Sequence, residues 1–207
     1  NAWVIVNRVR NYPFGRGIVS TVANFGVTGN VPSHPDLLDH LATTFIADGW
    51  SVKKLVRRLV LTRAYQLSAR TSTEAVTIDP ANELVWRHSP RRLTAEEIRD
   101  TILASSGSLN SQRPPGAFVK DFPMREIRDN GPEAKSLHEA ANASTYRSVY
   151  LPLLRGLTPK TLEVFDPVEQ TLVTGNRDTT TVPSQALFLL NSRFVHKQAL
   201  GLAERLL

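Results

Sequence analysis

The chain contains no cysteine in 207 residues. That absence excludes disulfides, thiolate metal sites, a cysteine nucleophile and a Cys-x-x-Cys-His haem attachment within this stretch. No apolar run reaches the ~18 uninterrupted residues that read as a membrane span. The first residues, Asn1-Ala2-Trp3-Val4-Ile5-Val6, are apolar but lack the charged leader and small-residue cleavage site of a signal peptide. They read as the middle of a helix, and the chain as an N-terminally truncated C-terminal piece of a longer protein. Acids are outnumbered, with 19 Asp and Glu against 25 Lys and Arg, for a net charge of +6. An excess of that sign bears on polyanionic partners and solubility, not on the fold.

Several catalytic signatures are missing as well. Gly15-x-Gly17 and Gly26-x-x-Gly29 match neither a Walker loop nor a dinucleotide fingerprint, and there is no Gly-x-Ser-x-Gly elbow. The histidines at 34, 40, 88, 138 and 196 are scattered. His34 and His40 are spaced so that a straight helix turns them about 120° out of step. With no other ligand spacing present, no metal site is expected.

What is present is a mainly α pattern. Apolar residues make up 41% of the chain, an ordinary globular share for a single module of this size. A helix over 2–12 is expected to stop at Tyr12-Pro13. Ser33 is placed to cap a helix carrying Leu37, Leu38, Leu41 and Phe45 and ending at Asp48-Gly49. Ser51 precedes the clearest period of all, Val52, Leu55, Val56, Leu59 and Val60, with Lys53, Lys54, Arg57 and Arg58 on the other side. Residues 68–80 are polar and irregular. Thr94 and Glu97 form a capping-box pair ahead of Ile98, Ile102 and Leu103. Residues from about 105 to 145, broken by Pro114-Pro115-Gly116, Pro123 and Gly131-Pro132, read as a loop-rich insertion. Arg147–Leu153 reads as a strand, one of the one or two short strands expected. Two closing helices, 183–190 and 193–207, carry apolar faces of Ala186, Leu187, Leu190, Phe194, Leu200, Ala203 and Leu206.

Three constellations are candidates for chemistry. The 50–72 region carries Lys53, Lys54, Arg57, Arg58, Arg63 and Arg70 without an acid, a stripe able to track sulfates or phosphates. Its ordinary reading is a solvated face, and the interleaved aromatics of a single-strand nucleic-acid binder are absent. Arg16 between Gly15 and Gly17, with His34 and Asp36, could meet an anion, although an arginine in a loop more often organises carbonyls. Arg91 and Arg92 lead into Arg99 and Asp100, which together with Arg147 form an expected structural ion-pair network, since buried charges need partners. No nucleophile, base and oxyanion set accompanies any of them.

Taken in order, many short segments resemble one family. They include Phe14-Gly15-Arg16-Gly17, Pro32-Ser33-His34-Pro35-Asp36, Asp48-Gly49-Trp50-Ser51, Ala64-Tyr65-Gln66-Leu67-Ser68, Asp79-Pro80-Ala81-Asn82 and Arg87-His88-Ser89-Pro90-Arg91-Arg92. Val164-Phe165-Asp166-Pro167 and Pro183-Ser184-Gln185-Ala186 continue the series. The chain resembles the PSD domain (domain of unknown function 1553), first described in exported planctomycete proteins. It departs from that pattern at Arg10 and His40, where tryptophan is usual, at Val56, where histidine is frequent, and at Arg193, where proline is usual. Such a resemblance implies an exported, periplasmic or cell-envelope multidomain protein. Haem would belong only to an upstream cytochrome-like domain, so no cofactor is expected in this chain. The implied partners are the upstream domains and an acidic or sulfated polysaccharide. The expectation is therefore a non-catalytic structural or binding module, with Arg16, His34, Asp36, Lys53, Arg57, Arg91 and Arg92 as candidate binding residues. Two alternatives are an accessory part of a haem-linked oxidoreductase or hydrolase, and a polyanion or nucleic-acid binder acting through the basic helix.

Overall fold

The computed structural model describes residues 1–116, 120, 132–153, 158–168, 177 and 179–207. They are mainly α-helical and fall into two compact units, Asn1–Arg91 and Arg92–Leu207.

In the first unit, α1 (Ala2–Phe14) packs on both α2 (Pro35–Ala47) and α3 (Val52–Val60). Val6, Ile18, Val19, Leu38, Leu41, Ala42, Phe45, Leu55 and Leu59 form the core of this unit. Each large aliphatic or Phe side chain buried there is worth about 1.5–3 kcal/mol relative to exposure. Helix α1 runs past the expected stop. Pro13 is accommodated inside its last turn, and termination falls to Gly15, left-handed at φ 72°.

The turn from α2 to α3 follows from Asp48-Gly49-Trp50-Ser51. Gly49 N–H donates to the Ile46 carbonyl (3.0 Å) and Trp50 N–H to the Phe45 carbonyl (2.9 Å), the two bonds of a Schellman motif. Trp50 then packs edge-on against Phe45, with centroids 5.3 Å apart, which supplies the apolar contact that accompanies such caps. Ser51 Oγ accepts from Lys54 N–H (3.3 Å) and starts α3. Ser33 is not the cap of α2: His34 occupies that position without a side-chain bond, and Ser33 Oγ donates to the Ile18 carbonyl (3.2 Å). Within the polar stretch 68–80 a short helix, α4 (Thr73–Ile78), is capped by Ser72.

In the second unit, α5 (Ala95–Ser105) begins at the expected capping box. Glu97 N–H donates to Thr94 Oγ1 (3.4 Å), and Thr94 N–H donates to Glu97 Oε2 (2.8 Å). Its buried seam is Ala95, Arg99 and Leu103, with Ile98 and Ile102 only partly covered. An arginine thus occupies the middle of the seam. The C-terminal part of the expected insertion is a helix, α6 (Pro132–Ala143), while residues 117–119 and 121–131 lie outside the described residues. Proline at the first helical position and a run rich in Ala, Glu, Lys and Leu were the local signals for it.

The segment read as a strand is instead a single 3₁₀ turn, Ser148–Tyr150. Among the described residues the β-pairing is one isolated parallel bridge between Asn110 and Tyr146. The reason is local: side chains of α5, not a neighbouring strand, take up the backbone groups there, and alternating β-branched and aromatic residues report a half-buried surface rather than a sheet. Helix α7 (Lys160–Glu163) packs against α5 and buries Thr161 and Leu162. Helices α8 (Pro183–Asn191) and α9 (Arg193–Leu206) close the chain close to the expected positions. Their faces are reversed from the sequence reading, because Gln185 and Gln198 are buried while Leu187, Leu190, Leu200 and Leu206 are exposed.

Candidate functional site

In the first unit the glycine-arginine turn is tied down from beneath. Asn7, 0% exposed on α1, donates through Nδ2 to the Val19 carbonyl (2.9 Å) and accepts Val19 N–H at Oδ1 (2.9 Å). A Cβ on Gly17 would lie 2.7 Å from both terminal atoms of Asn7 and 2.6 Å from the Val19 carbonyl oxygen, so this close approach requires glycine. Arg10, on the same helix, donates to the Arg16 carbonyl (2.7 Å), with its guanidinium carbon 4.6 Å from the Phe14 ring centroid. Burial lowers the Arg10 pKa, and the nearby positive Arg16 lowers it further.

Arg16 itself points to solvent and pairs with Glu83 at 2.5 Å. Glu83 is held in turn by Asp79, whose carboxylate accepts the Glu83 (2.9 Å) and Leu84 (2.8 Å) N–H groups. Asn82 reaches the Arg87 carbonyl (3.0 Å) and Ser89 Oγ (2.7 Å). These bonds hold two left-handed residues, Asn82 at φ 54° and Val85 at φ 55°. For β-branched Val85 that backbone is strained, and its side chain packs on the core of this unit. Phe14, Tyr65 and His88 form a chain of edge-on rings, with centroids 5.7 and 5.1 Å apart. Segments far apart in sequence thus build one knot, and the sequence reading gave no role to Asn7 and Asp79, which hold it.

His34 and Asp36 are not part of that knot. His34 Nδ1 lies 3.0 Å from Ser33 Oγ, and Asp36 is exposed in the first turn of α2. Among the described residues neither makes a hydrogen bond or ion pair with Arg16. Arg91 lies beside Gly15, where an added Cβ would come 3.7 Å from the Arg91 Cβ, and it is engaged in an interaction of its own.

On α3 the cations divide into two pairs. Arg58 donates to Asp48 through Nε (2.9 Å) and Nη2 (3.3 Å), and Lys54 Nζ lies 3.8 Å from the same carboxylate. The Arg58 hydrogen bond holds the Asp48 carboxyl below its ordinary value, and Asp48 raises Arg58 in return. Lys53 and Arg57 are exposed and, among the described residues, make no hydrogen bond or ion pair.

In the second unit Arg92 serves the fold. It donates to the Thr180 carbonyl, to Thr181 Oγ1 (2.8 Å) and to Gln185 Oε1 (2.6 Å). Asp166, at φ 54°, accepts Thr180 N–H (2.7 Å) and its hydroxyl (2.8 Å). Arg99, Asp100 and Arg147 lie together. Arg99 Nη1 donates to the Tyr146 carbonyl (2.9 Å) and Ser148 Oγ (3.2 Å), and Nη2 donates to the Ser144 carbonyl. Asp100 accepts both the N–H (2.8 Å) and the hydroxyl (2.6 Å) of Ser148, with Arg147 Nε 3.7 Å away. Burial lowers the Arg99 pKa, and Asp100 partly offsets the shift.

Among the described residues no group of three His, Asp or Glu side chains could hold a metal ion, and no helix is long and apolar enough to cross a membrane. The arrangement offers anchored arginines, a strained loop at Asn82–Val85 and a cation row on α3, Lys53 and Arg57, that no acid neutralises among the described residues. Neither a curated protein nor a solved structure matches the chain. The model of the PSD1 family, described as proteins of unknown function (DUF1553), matches residues 1–207, the whole chain, and the chain belongs to that family.

Proposed function

We propose that this chain is a non-catalytic binding module of an exported multidomain protein, engaging an acidic partner through the outward side of α3. One observation carries the reading: Lys54 and Arg58 are neutralised by Asp48, whereas Lys53 and Arg57, one helical turn apart, are exposed with no acid paired to them among the described residues. An unneutralised cation row attracts anions and releases counterions when they bind. Arg92 is committed to Thr180, Thr181 and Gln185, and Arg16 to Glu83, so neither leads the interaction. A catalytic reading needs Arg16, His34, Asp36 and Arg91 around one cavity, and no bond joins His34 or Asp36 to Arg16 among the described residues.

In a cell-envelope setting, acidic or sulfated polysaccharide is the polyanion to test first. A salt titration would compare heparin, uncharged dextran and duplex DNA, using the unmodified chain and a Lys53→Ala, Arg57→Ala variant. The expected result is binding to the anionic polymer whose salt dependence falls by about two released counterions in the variant. Absence of binding to any polyanion at low salt would overturn the reading.

A further inference from the structure

Lys53 and Arg57 are only half of what α3 presents. Val52 and Val56, also one turn apart, are exposed beside them. The outward side therefore carries two parallel rows, one aliphatic and one cationic, each with a repeat of about 6 Å. The Val52–Val56 row adjoins the buried Leu55–Leu59 seam, so it extends the apolar side of the helix into solvent.

Trp50 stands at the entrance to this helix. It is 47% exposed although its ring rests against Phe45. Its backbone sits at φ 59°, a conformation that a bulky residue adopts at a cost. Glycine would make the same 6→1 backbone bond without that cost. A tryptophan held in strain and still half exposed points to a use for its outer surface. Ile46, in the last turn of α2 and four residues before Trp50, is exposed as well.

We infer that this corner docks an acidic amphipathic helix from another domain or protein. The inference rests on the binding-module reading above and names its partner. A facing helix presents residues in rows of the same spacing, so acids at i and i+4 meet Lys53 and Arg57 while apolar residues at i and i+4 cover Val52 and Val56. The charge rows give register and orientation, and the indole and the aliphatic row supply desolvated area. A polysaccharide has no use for the valine row. Single-stranded nucleic acid stacks on successive aromatics, and this corner offers one indole.

The test uses the full chain and a synthetic peptide of about 20 residues, long enough to be helical in water, bearing glutamates and leucines in adjacent i, i+4 rows. A second peptide keeps the glutamates and replaces the leucines with glutamine, and heparin serves as a charge-only polymer. Binding is read by titration calorimetry at about 0.15 M salt, with circular dichroism checking that each variant is folded. The first peptide is expected to bind more tightly than the second or heparin. Val52→Ser with Val56→Ser should weaken it at least tenfold. Lys53→Glu with Arg57→Glu should abolish it and confer binding to a peptide with lysines in place of the glutamates. Equal binding of all three acidic probes, unaffected by the valine changes, would overturn the helix partner while leaving an acidic partner intact. Failure of every acidic probe at low salt would overturn both.

Discussion

Each unit buries an arginine on a central helix, and the two are held by different means. Arg10, 7% exposed on α1, has the Arg16 carbonyl and the Phe14 ring. Arg99, 1% exposed on α5, bonds two carbonyls and a hydroxyl and has Asp100 3.7 Å away. Burial lowers both pKa values, but an acid opposes the shift only at Arg99. In the first unit a neutral amide, Asn7, clamps the Val19 backbone above an extended aliphatic core, and the ion pairs Arg16–Glu83 and Arg58–Asp48 are exposed. The second has a smaller apolar cluster among the described residues. Its segments are joined by charged side chains: Arg99 and Asp100 on 144–148, Arg92 on 180–185, and Arg177 on Glu96 at 2.5 Å. A desolvated charge without an acid tends to cost stability, whereas one carrying a network becomes expensive to remove.

The sharpest break of that contrast is a pair of arginine replacements. Arg99→Met should destabilise the protein by about 3–5 kcal/mol, because Asp100 and two carbonyls lose their partner. Arg10→Met should change stability by no more than about 1 kcal/mol, since it removes a desolvated cation and restores an apolar side chain of similar length. Urea unfolding of the two variants decides it, and equal losses would erase the distinction.

A smaller effect tests the neutral clamp. Asn7→Ala should cost about 2–3 kcal/mol by leaving the Val19 N–H and carbonyl buried and unpaired. Gly17→Ala alone should cost about 1–3 kcal/mol through overpacking. Because the added methyl meets the Asn7 side chain, the two losses should not add in a double-mutant cycle. Strict additivity would mean that Gly17 is required for some other contact.

The smallest effect lies at the exposed Asp48–Arg58 pair. A carboxyl held below its ordinary value contributes stability above its unfolded pKa, and that stability is lost as pH falls through the lower folded value. Asp48→Asn should therefore slightly flatten the acid limb of a melting-temperature profile taken from roughly pH 6 down to pH 2. An unchanged acid limb would show that solvent screens the pair completely.

Much of the helical framework was legible from local chemistry. Ser51, the Thr94–Glu97 box and the period of α3 each encode a helix boundary or face within a few residues, because capping and periodicity are local. The binding candidates were legible only as residue types. Lys53 and Arg57 look the same in sequence as Lys54 and Arg58, and Asp48 separates them by distance in space. Arg92 resembled a ligand-binding cation until Thr180, Thr181 and Gln185 were placed around it.

By itself the sequence determined the mainly α class, the positive charge, the absence of cysteine chemistry and the family, all properties of composition or of order along the chain. Only the tertiary structure decided that Arg147–Leu153 forms a turn and not a strand, since side chains of α5 capture its backbone groups. It alone decided that glutamines, not leucines, are buried on α8 and α9. Gln185 is bonded to Arg92, and Gln198 accepts from Ser106 and Ser108 at 2.6 Å each. A buried polar group persists where its partners are supplied, and those partners lie about ninety residues away in sequence.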